Sequence, residues 1–360
     1  TWRGEQPGAG GGGGRPPPGE ELPGAVGEGG EAAADPDLEP AFLDDTDGLV
    51  AADLEGEDAD FVDSDMEDEE AGGGAQGPAA AAGEAGPDDS AHCFRGHTDA
   101  VYCCAWSPLG DAVACGGGDD RAFLWRPGAE GSAELGGHTD SVAGCAFSHD
   151  GSTLATAGLD GRVKLWDVAG GGGLVRTLEG PGGGLEWVAW HPRGPVVLAG
   201  SEDYTAWMWS AADGSCMQVF SGHMGTVTCG RFTPDGRALL TGGSDTQLRL
   251  WSPRTGECAA LVQGQGFHEH SAVTCLDLHP QRPELCMTGG EDCTARFSSV
   301  SAEGGGKPVA TLAGHTGTVE CAGFCADAPL AATGSLDGKL VLWDAHTAQV
   351  RAECPHEGGA

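Results

Sequence analysis

Basic residues are scarce in this 360-residue sequence, which holds 18 lysines and arginines against 55 aspartates and glutamates. The formal net charge is −37, and a surplus of this sign repels nucleic-acid phosphates. No apolar run approaches the roughly 18–20 residues that a membrane span needs. The first residues include neither a methionine nor the basic and then apolar pattern of a signal peptide. We therefore expect protein partners with basic segments, no direct nucleic-acid binding and no membrane span.

The 14 cysteines include no CxxC pair, which removes the commonest zinc and thioredoxin-like signatures. Most of them stand inside apolar stretches, as Cys103, Cys145 and Cys229 do. Such cysteines are typical of reduced, buried thiols in cytosolic or nuclear proteins. The sequence thus predicts a cytoplasmic protein, with the nucleus as a second compartment.

Motifs of catalysis and cofactor binding are also missing. Lys307 and Lys339 follow glycines without the GxxxxGK[ST] frame that cradles phosphate, and no GxSxG elbow occurs. The stretch His268-Glu269-His270 lacks the i, i+4 histidine pair of a zinc-protease helix. We expect a protein that is not an enzyme and takes no cofactor, metal or small-molecule substrate.

The acidic excess lies mainly in residues 1–90, where 25 acidic side chains face only Arg3 and Arg15. This segment is rich in Gly, Pro, Ala, Glu and Asp, and its few apolar residues are scattered among carboxylates. Too little apolar surface is available there to offset the entropy of ordering the chain. The sequence predicts a disordered acidic tail over residues 1–90 and a folded domain over residues 91–360.

Past residue 90 the sequence repeats itself six times. In four copies an Asp follows a Gly-His pair by 22 residues, and a Trp stands six residues further on. These sets are His97, Asp119, Trp125; His138, Asp160, Trp166; His223, Asp245, Trp251; and His315, Asp337, Trp343. Two degenerate copies keep the count. Pro181 takes the His place ahead of Asp203 and Trp209, and His270 precedes Asp292, with Ser298 where Trp would be.

Between these markers, short apolar or alternating runs are separated by turn clusters. The run VYCCAW at 101–106 and the cluster TPDG at 233–236 are examples. Each unit of about 40–47 residues is close to the period of a four-stranded propeller blade. The repeats therefore predict an all-β propeller with six visible blades.

Over residues 91–354 the sequence resembles the WD-repeat family. The resemblance implies that His and Asp are joined through a Ser or Thr and that Trp completes the hydrogen-bonded set. Three sets are complete, through Thr156, Thr241 and Thr333, whereas Cys115 and Ala199 take the Thr place in the first and third repeats. Since a catalytic site occurs once and these sets recur in every repeat, we interpret them as structural.

Within that family the sequence is similar to the angio-associated migratory cell protein branch. The similarity is carried by GGDDRAFLW at 117–125, LEW at 185–187, WHPR at 190–193 and TAWMW at 205–209. The resemblance implies an eight-bladed ring. It also implies a chaperone role toward a newly made, basic large-subunit ribosomal protein, known from fungal relatives, or a role in cell migration and signalling, known from animal ones. Six repeats instead of eight lead us to expect a sequence truncated at both ends.

Six further residues stand beside the structural sets on the loops that WD proteins commonly use for partners. They are Asp99, Asp120, Asp140, Glu202, Tyr204 and Glu291. A ring of acids with one aromatic suits a basic peptide or helix. We therefore predict a non-catalytic protein-interaction scaffold. The alternatives are a signalling scaffold in cell migration and a substrate receptor of a cullin-type ubiquitin ligase, which usually shows Trp-Asp-x-Arg. Here Trp166-Asp167 and Trp343-Asp344 lack that Arg.

Overall fold

A computed structural model describes residues 94–129, 131–264 and 266–355 of the chain. The predicted acidic tail and its boundary at residue 90 lie outside the described residues. Within them, 24 strands form six antiparallel sheets of four strands each. No helix suited to crossing a membrane occurs in these residues. The prediction of an all-β propeller with six blades is confirmed.

Each blade consists of four strands that follow one another along the chain. Blade 1 contains β1 (Val101–Trp106), β2 (Val113–Gly117), β3 (Ala122–Trp125) and β4 (Ser132–Leu135). Blade 2 contains β5 (Val142–Phe147), β6 (Thr153–Gly158), β7 (Val163–Asp167) and β8 (Gly173–Leu178). Blade 3 contains β9 (Leu185–Trp190), β10 (Val196–Ser201), β11 (Thr205–Ser210) and β12 (Cys216–Ser221).

The second half of the domain repeats the pattern. Blade 4 contains β13 (Cys229–Phe232), β14 (Leu239–Gly242), β15 (Leu248–Trp251) and β16 (Cys258–Val262). Blade 5 contains β17 (Val273–Leu278), β18 (Leu285–Gly290), β19 (Thr294–Ser301) and β20 (Gly305–Ala313). Blade 6 contains β21 (Val319–Phe324), β22 (Leu330–Ser335), β23 (Lys339–Asp344) and β24 (Val350–Pro355).

The first strand of every blade lies innermost. Residues of all six first strands line one central cavity of about 680 Å³, among them Cys104, Cys145, Trp187, Cys229, Cys275 and Cys321. Pairing runs outward from that strand, β1 to β2 to β3 to β4 in blade 1 and likewise in the others. In the described part of the chain, no blade borrows a strand from another.

Apolar cores fill the spaces between successive blades. Leu124 of blade 1 lies in one buried cluster with Val142 and Trp166 of blade 2, and similar clusters join each later pair. Their members are aliphatic, aromatic and small apolar residues, most of them on the faces of strands, as expected for sheets covered on both sides. These clusters hold the blades in register, and the connecting loops are thereby fixed at the two ends of the cavity.

Candidate partner-binding face

One end of the propeller carries the loops that precede the first strands and the turns between second and third strands. We call this end the upper face. The histidines of the repeats lie on the loops and the aspartates on the turns, so that the two meet at the edge of each blade. Asp160 accepts a hydrogen bond from the Thr139 amide at 3.1 Å, and Asp245 accepts one from the Met224 amide at 2.9 Å. The aspartate therefore fastens the loop to the turn.

In blade 2 the four structural residues form a continuous hydrogen-bonded chain. The Trp166 indole donates to Thr156 Oγ1 at 2.9 Å, and Thr156 in turn lies 2.9 Å from His138 Nε2. His138 Nδ1 donates to Asp160 Oδ1 at 3.1 Å. Blades 4 and 6 repeat this arrangement with His223, Thr241, Asp245, Trp251 and with His315, Thr333, Asp337, Trp343.

Blade 1 replaces the central threonine with a thiol. His97 Nδ1 donates to Asp119 Oδ1 at 2.9 Å, and His97 Nε2 lies 3.2 Å from Cys115 Sγ. The Trp125 indole hydrogen-bonds the same thiol. Burial raises the pKa of Cys115 to about 11, so that it remains a protonated thiol at neutral pH.

Blade 3 has neither the histidine nor the hydroxyl. The Trp209 indole donates instead to the Glu179 carbonyl at 3.2 Å and stacks on Trp207 with centroids 6.0 Å apart. Asp203 still accepts the Gly182 amide at 2.9 Å. The aspartate therefore keeps its loop-fastening role without a histidine beside it.

Blade 5 corrects the sequence prediction, which placed His270 in the histidine position. His268 takes that place: its Nδ1 donates to Asp292 at 3.1 Å, and its Nε2 lies 2.9 Å from Thr288 Oγ1. His270 is exposed. The fixed count of 22 residues fails because this repeat has one extra residue before β17 and another in the turn between β17 and β18. Arg296 adds an ion pair to Asp292 at 2.6 Å.

Burial favours the neutral histidine in blades 2 and 5, and hydrogen bonds favour the charged aspartate in blades 1, 3, 4, 5 and 6. Burial lowers the pKa of His138 below its ordinary 6.5, and the Asp160 charge opposes the shift only in part. Burial would raise the pKa of Asp245, but hydrogen bonds from His223 and the Met224 amide outweigh it and lower the pKa below 3.8. Both nitrogens of such a histidine are already engaged, so that none can take a proton from a substrate.

The six residues predicted to bind a partner all lie on the upper face, at three repeated positions. Asp99 and Asp140 stand two residues after a histidine and are exposed. Glu202 and Glu291 precede a structural aspartate, and each accepts a loop amide, Gly184 at 3.1 Å and Ala272 at 3.3 Å. Asp120 and Tyr204 follow one.

That last position has a left-handed backbone in every blade. The φ angles are 62° at Asp120, 76° at Gly161, 72° at Tyr204, 66° at Thr246, 62° at Cys293 and 74° at Gly338. Glycine adopts this conformation without steric cost, whereas a residue with a Cβ loses about 1–2 kcal/mol. Four blades bear that cost and present a side chain at the tip of the turn.

Negative charge on this face is largely uncompensated. Among the described residues, none of the five predicted carboxylates belongs to an ion pair, whereas nearby cations do. Arg121 pairs with Glu134 at 3.4 Å, Arg162 with Glu179 at 3.0 Å and Lys339 with Glu353 at 3.3 Å. The free carboxylates are therefore available to cations from outside the molecule.

Two further upper-face residues escaped the sequence prediction. Glu186 is the second residue of β9, where burial first and repulsion from Glu202 second raise its carboxyl pKa above 4.5. Met224 follows a structural histidine and is 82% exposed. No motif marks either residue, since the second position of β9 and the residue after the histidine vary among the repeats. Across the described chain, no group of three or more His, Cys, Asp or Glu side chains is placed to hold a metal ion.

Comparisons with known proteins agree with this architecture. The profile of the family described as WD domain, G-beta repeat matches residues 89–126, 131–167, 172–210, 214–252, 262–297 and 306–344. The chain is 34% identical over 299 residues to the human angio-associated migratory cell protein, an alignment that covers 76% of this chain and 65% of that relative. The protein of that name from Canis lupus familiaris gives the same values. Human WD repeat-containing protein 86 is 43% identical over 61 residues, 17% of this chain and 16% of its own length.

Proposed function

The chain belongs to the WD-repeat family, and we propose that its propeller is a non-catalytic scaffold that binds a basic segment of a partner protein on the upper face. The observation that carries the proposal is the set of five carboxylates on the upper face that belong to no ion pair among the described residues: Asp99, Asp120, Asp140, Glu202 and Glu291. Tyr204 supplies an exposed aromatic surface among them. Lysine or arginine side chains would gain charge-assisted hydrogen bonds there without first breaking an existing ion pair.

The raised pKa of Glu186 supports the same interpretation. Burial is the larger cause of the shift, and the second cause, repulsion from Glu202, shows that two negative charges lie close together there. An incoming ammonium or guanidinium group would relieve that repulsion and favour the charged form of the carboxyl. Residues 1–90 add 25 further acidic side chains, which increase the rate at which a basic partner arrives.

Within this proposal the partner is a newly made, basic ribosomal protein of the large subunit, as the resemblance to chaperone relatives implies. The place of action is the cytoplasm, with the nucleus as a second compartment. All 13 described cysteines are unpaired, which is the state expected of a reducing compartment.

The chain spans 65% of the length of the migratory cell proteins that it matches. A role in cell migration is therefore proposed as an alternative, which is supported only by the name of these relatives.

Binding of a decalysine peptide tests the charged face, with fluorescence anisotropy as the readout. We expect the combined variant Asp99→Asn, Asp140→Asn, Glu202→Gln and Glu291→Gln to bind about tenfold more weakly, since each exposed pair contributes about 0.2–1 kcal/mol. A matched variant neutralises four exposed acids at the opposite end, Glu257, Glu284, Glu303 and Asp327. Both variants keep the acidic tail, so that its contribution cancels. Equal losses in the two variants would remove the upper face from the proposal.

The alternative proposal is a substrate receptor of a cullin-type ubiquitin ligase, and the same variants distinguish it from the scaffold proposal. At Trp343-Asp344 the aspartate already pairs with Arg351 of its own blade. At Trp166-Asp167 the aspartate accepts the Gly170 amide at 3.0 Å. Proteins that co-purify with the unmodified chain and are lost with the upper-face variant would be basic under the scaffold proposal. Recovery of a cullin adaptor with both variants would favour the ligase receptor.

A further inference from the structure

A closed ring of six blades has six junctions, and the described residues fill five of them. Each of five buried apolar clusters joins one blade to the next, from blades 1 and 2 through blades 5 and 6. Within the part of the chain that the structure describes, no such cluster joins blade 6 to blade 1. The two blades at the ends of the series therefore each present one uncovered face.

The uncovered face of blade 1 carries an apolar side chain that is buried in all other blades. Five residues share its place near the start of the first strand, and all are 0% exposed: Val142, Leu185, Val227, Val273 and Val319. Val101 in blade 1 is 53% exposed. At three of the five filled junctions this valine lies against a glycine of the preceding blade: a Cβ on Gly116, Gly242 or Gly289 would stand 2.5, 2.9 or 2.7 Å from the Cγ1 of Val142, Val273 or Val319. Val101 is thus one half of a knob-and-hole contact.

The uncovered face of blade 6 carries the other half. Gly334 occupies the place of Gly116, and among the described residues only the Cys321 side chain of its own blade lies near its missing Cβ. Leu340, three residues before the blade's Trp, is 40% exposed. Its counterparts are at most 1% exposed: Ala122, Val163, Ala206, Leu248 and Ala295. Blade 6 therefore presents an empty hole with an apolar rim.

The indole donors of Trp106 and Trp190 show the same difference between an uncovered face and a filled junction. Trp190 donates its indole N–H across a filled junction to the Ala146 carbonyl of blade 2 at 2.9 Å. Trp106 takes the same place in blade 1 and is 63% exposed. The corresponding acceptor in blade 6 is the carbonyl of Gly323. Knob, hole, donor and acceptor thus lie on opposite end faces of one molecule.

We propose that the end face of blade 1 in one copy of the chain docks on the end face of blade 6 in a second copy. A second copy is the partner that carries the complement of each face, because the same contact of a valine with a glycine joins neighbouring blades at three of the five filled junctions. The contact is head-to-tail, so that each copy keeps one free end and further copies add to it. It is also apolar between two strongly acidic chains, and salt strengthens it by screening their repulsion. A basic partner on the upper face would show the opposite salt dependence.

Sedimentation velocity of the full chain tests the contact. We expect the average mass to rise with protein concentration and with sodium chloride between about 50 and 500 mM. Val101→Glu and Leu340→Glu each place a charge at one half of the junction and should weaken association at least about tenfold. An equimolar mixture of the two variants combines one intact face from each and should stop at a dimer.

Met224→Glu is the matched control, because it adds the same charge at an exposed apolar side chain away from both end faces. It should associate like the unmodified chain. The proposal is overturned if the unmodified chain stays monomeric at every concentration and salt, or if the mixture of variants forms no dimer. It is also overturned if Val101→Glu lowers the melting temperature of a monomer, since the two end faces would then meet within one copy.

Discussion

Neutral histidines are the residues that make the upper face rigid. In blade 2 the donor order runs from Trp166 through Thr156 and His138 to Asp160, and each group uses its polar atoms on the next. Burial lowers the pKa of His138, and it lowers that of His268 even though Asp292 opposes the shift. Protonation of either ring would disturb its hydrogen bond with threonine, because Nε2 would no longer accept.

The same shifts predict how stability depends on pH. A histidine whose folded pKa lies below its unfolded value of 6.5 takes up a proton on unfolding, so that its contribution to stability is present above pH 6.5 and is lost as the pH falls below it. Carboxylates such as Asp245, whose pKa is lowered in the folded state, also lose their contribution to stability as the pH falls, but only below their unfolded pKa of 3.8. We expect the urea midpoint to fall between pH 7.5 and 5.5, before the carboxylates titrate. His138→Gln should flatten this slope, and His149→Gln, at an exposed position, should leave it unchanged. A midpoint that stays constant over this range would contradict the assignment.

At the scale of the strand and loop, register decides which of two nearby histidines is structural. The sequence offers His268 and His270, and the fixed spacing of the other repeats favours His270. Each extra residue is accommodated locally, in the loop before β17 and in the turn after it, so that β17 and β18 keep the pairing Val273 with Gly290. The buried His268 is therefore the one that reaches Thr288 and Asp292.

Two substitutions test this register. His268→Ala leaves Thr288 and Asp292 without their buried partner and should destabilise the fold by about 1–3 kcal/mol. His270→Ala changes an exposed side chain and should stay within about 0.5 kcal/mol. Urea titration of both variants gives the comparison. A larger loss of stability for His270→Ala than for His268→Ala would show that His270 occupies the structural position, as the fixed spacing predicts.

Spacing predicted most of the elements because each blade has a nearly constant length and its turns need particular residues. The turn TPDG at 233–236 is an example: Asp235 accepts the Arg237 amide at 3.0 Å, and Gly236 has a φ of 70°. The sequence did not predict features that depend on contacts between residues distant in sequence. The Trp209 indole reaches a backbone carbonyl, and Glu186 owes its raised pKa to burial and to Glu202, which is distant in sequence. A one-dimensional pattern carries no record of such neighbours.

For the whole molecule, the blades differ in how many of their faces are covered by a neighbour, and we therefore expect their local stability to differ. Blades 2 to 5 are covered on both faces, whereas blades 1 and 6 are covered on one, and stability in repeat arrays depends on contacts between neighbours. At low protein concentration and low salt we expect amide hydrogens of β2 and β22 to exchange faster than those of β10 and β14. Mass spectrometry of exchanged peptides measures this. Equal protection across the six blades would show that the ends are covered in the monomer.

The left-handed residue at the tip of each upper-face turn affects how partner choice can change in evolution. Its backbone is the same whether the side chain is Asp120, Tyr204, Thr246 or Cys293, or is missing at Gly161 and Gly338. A codon change at one of these positions alters what the tip presents while the blade beneath it keeps its hydrogen bonds. Under the proposed function, exchange of one side chain for another at the four tips without glycine would vary recognition with little effect on folding, so that specificity could drift one blade at a time.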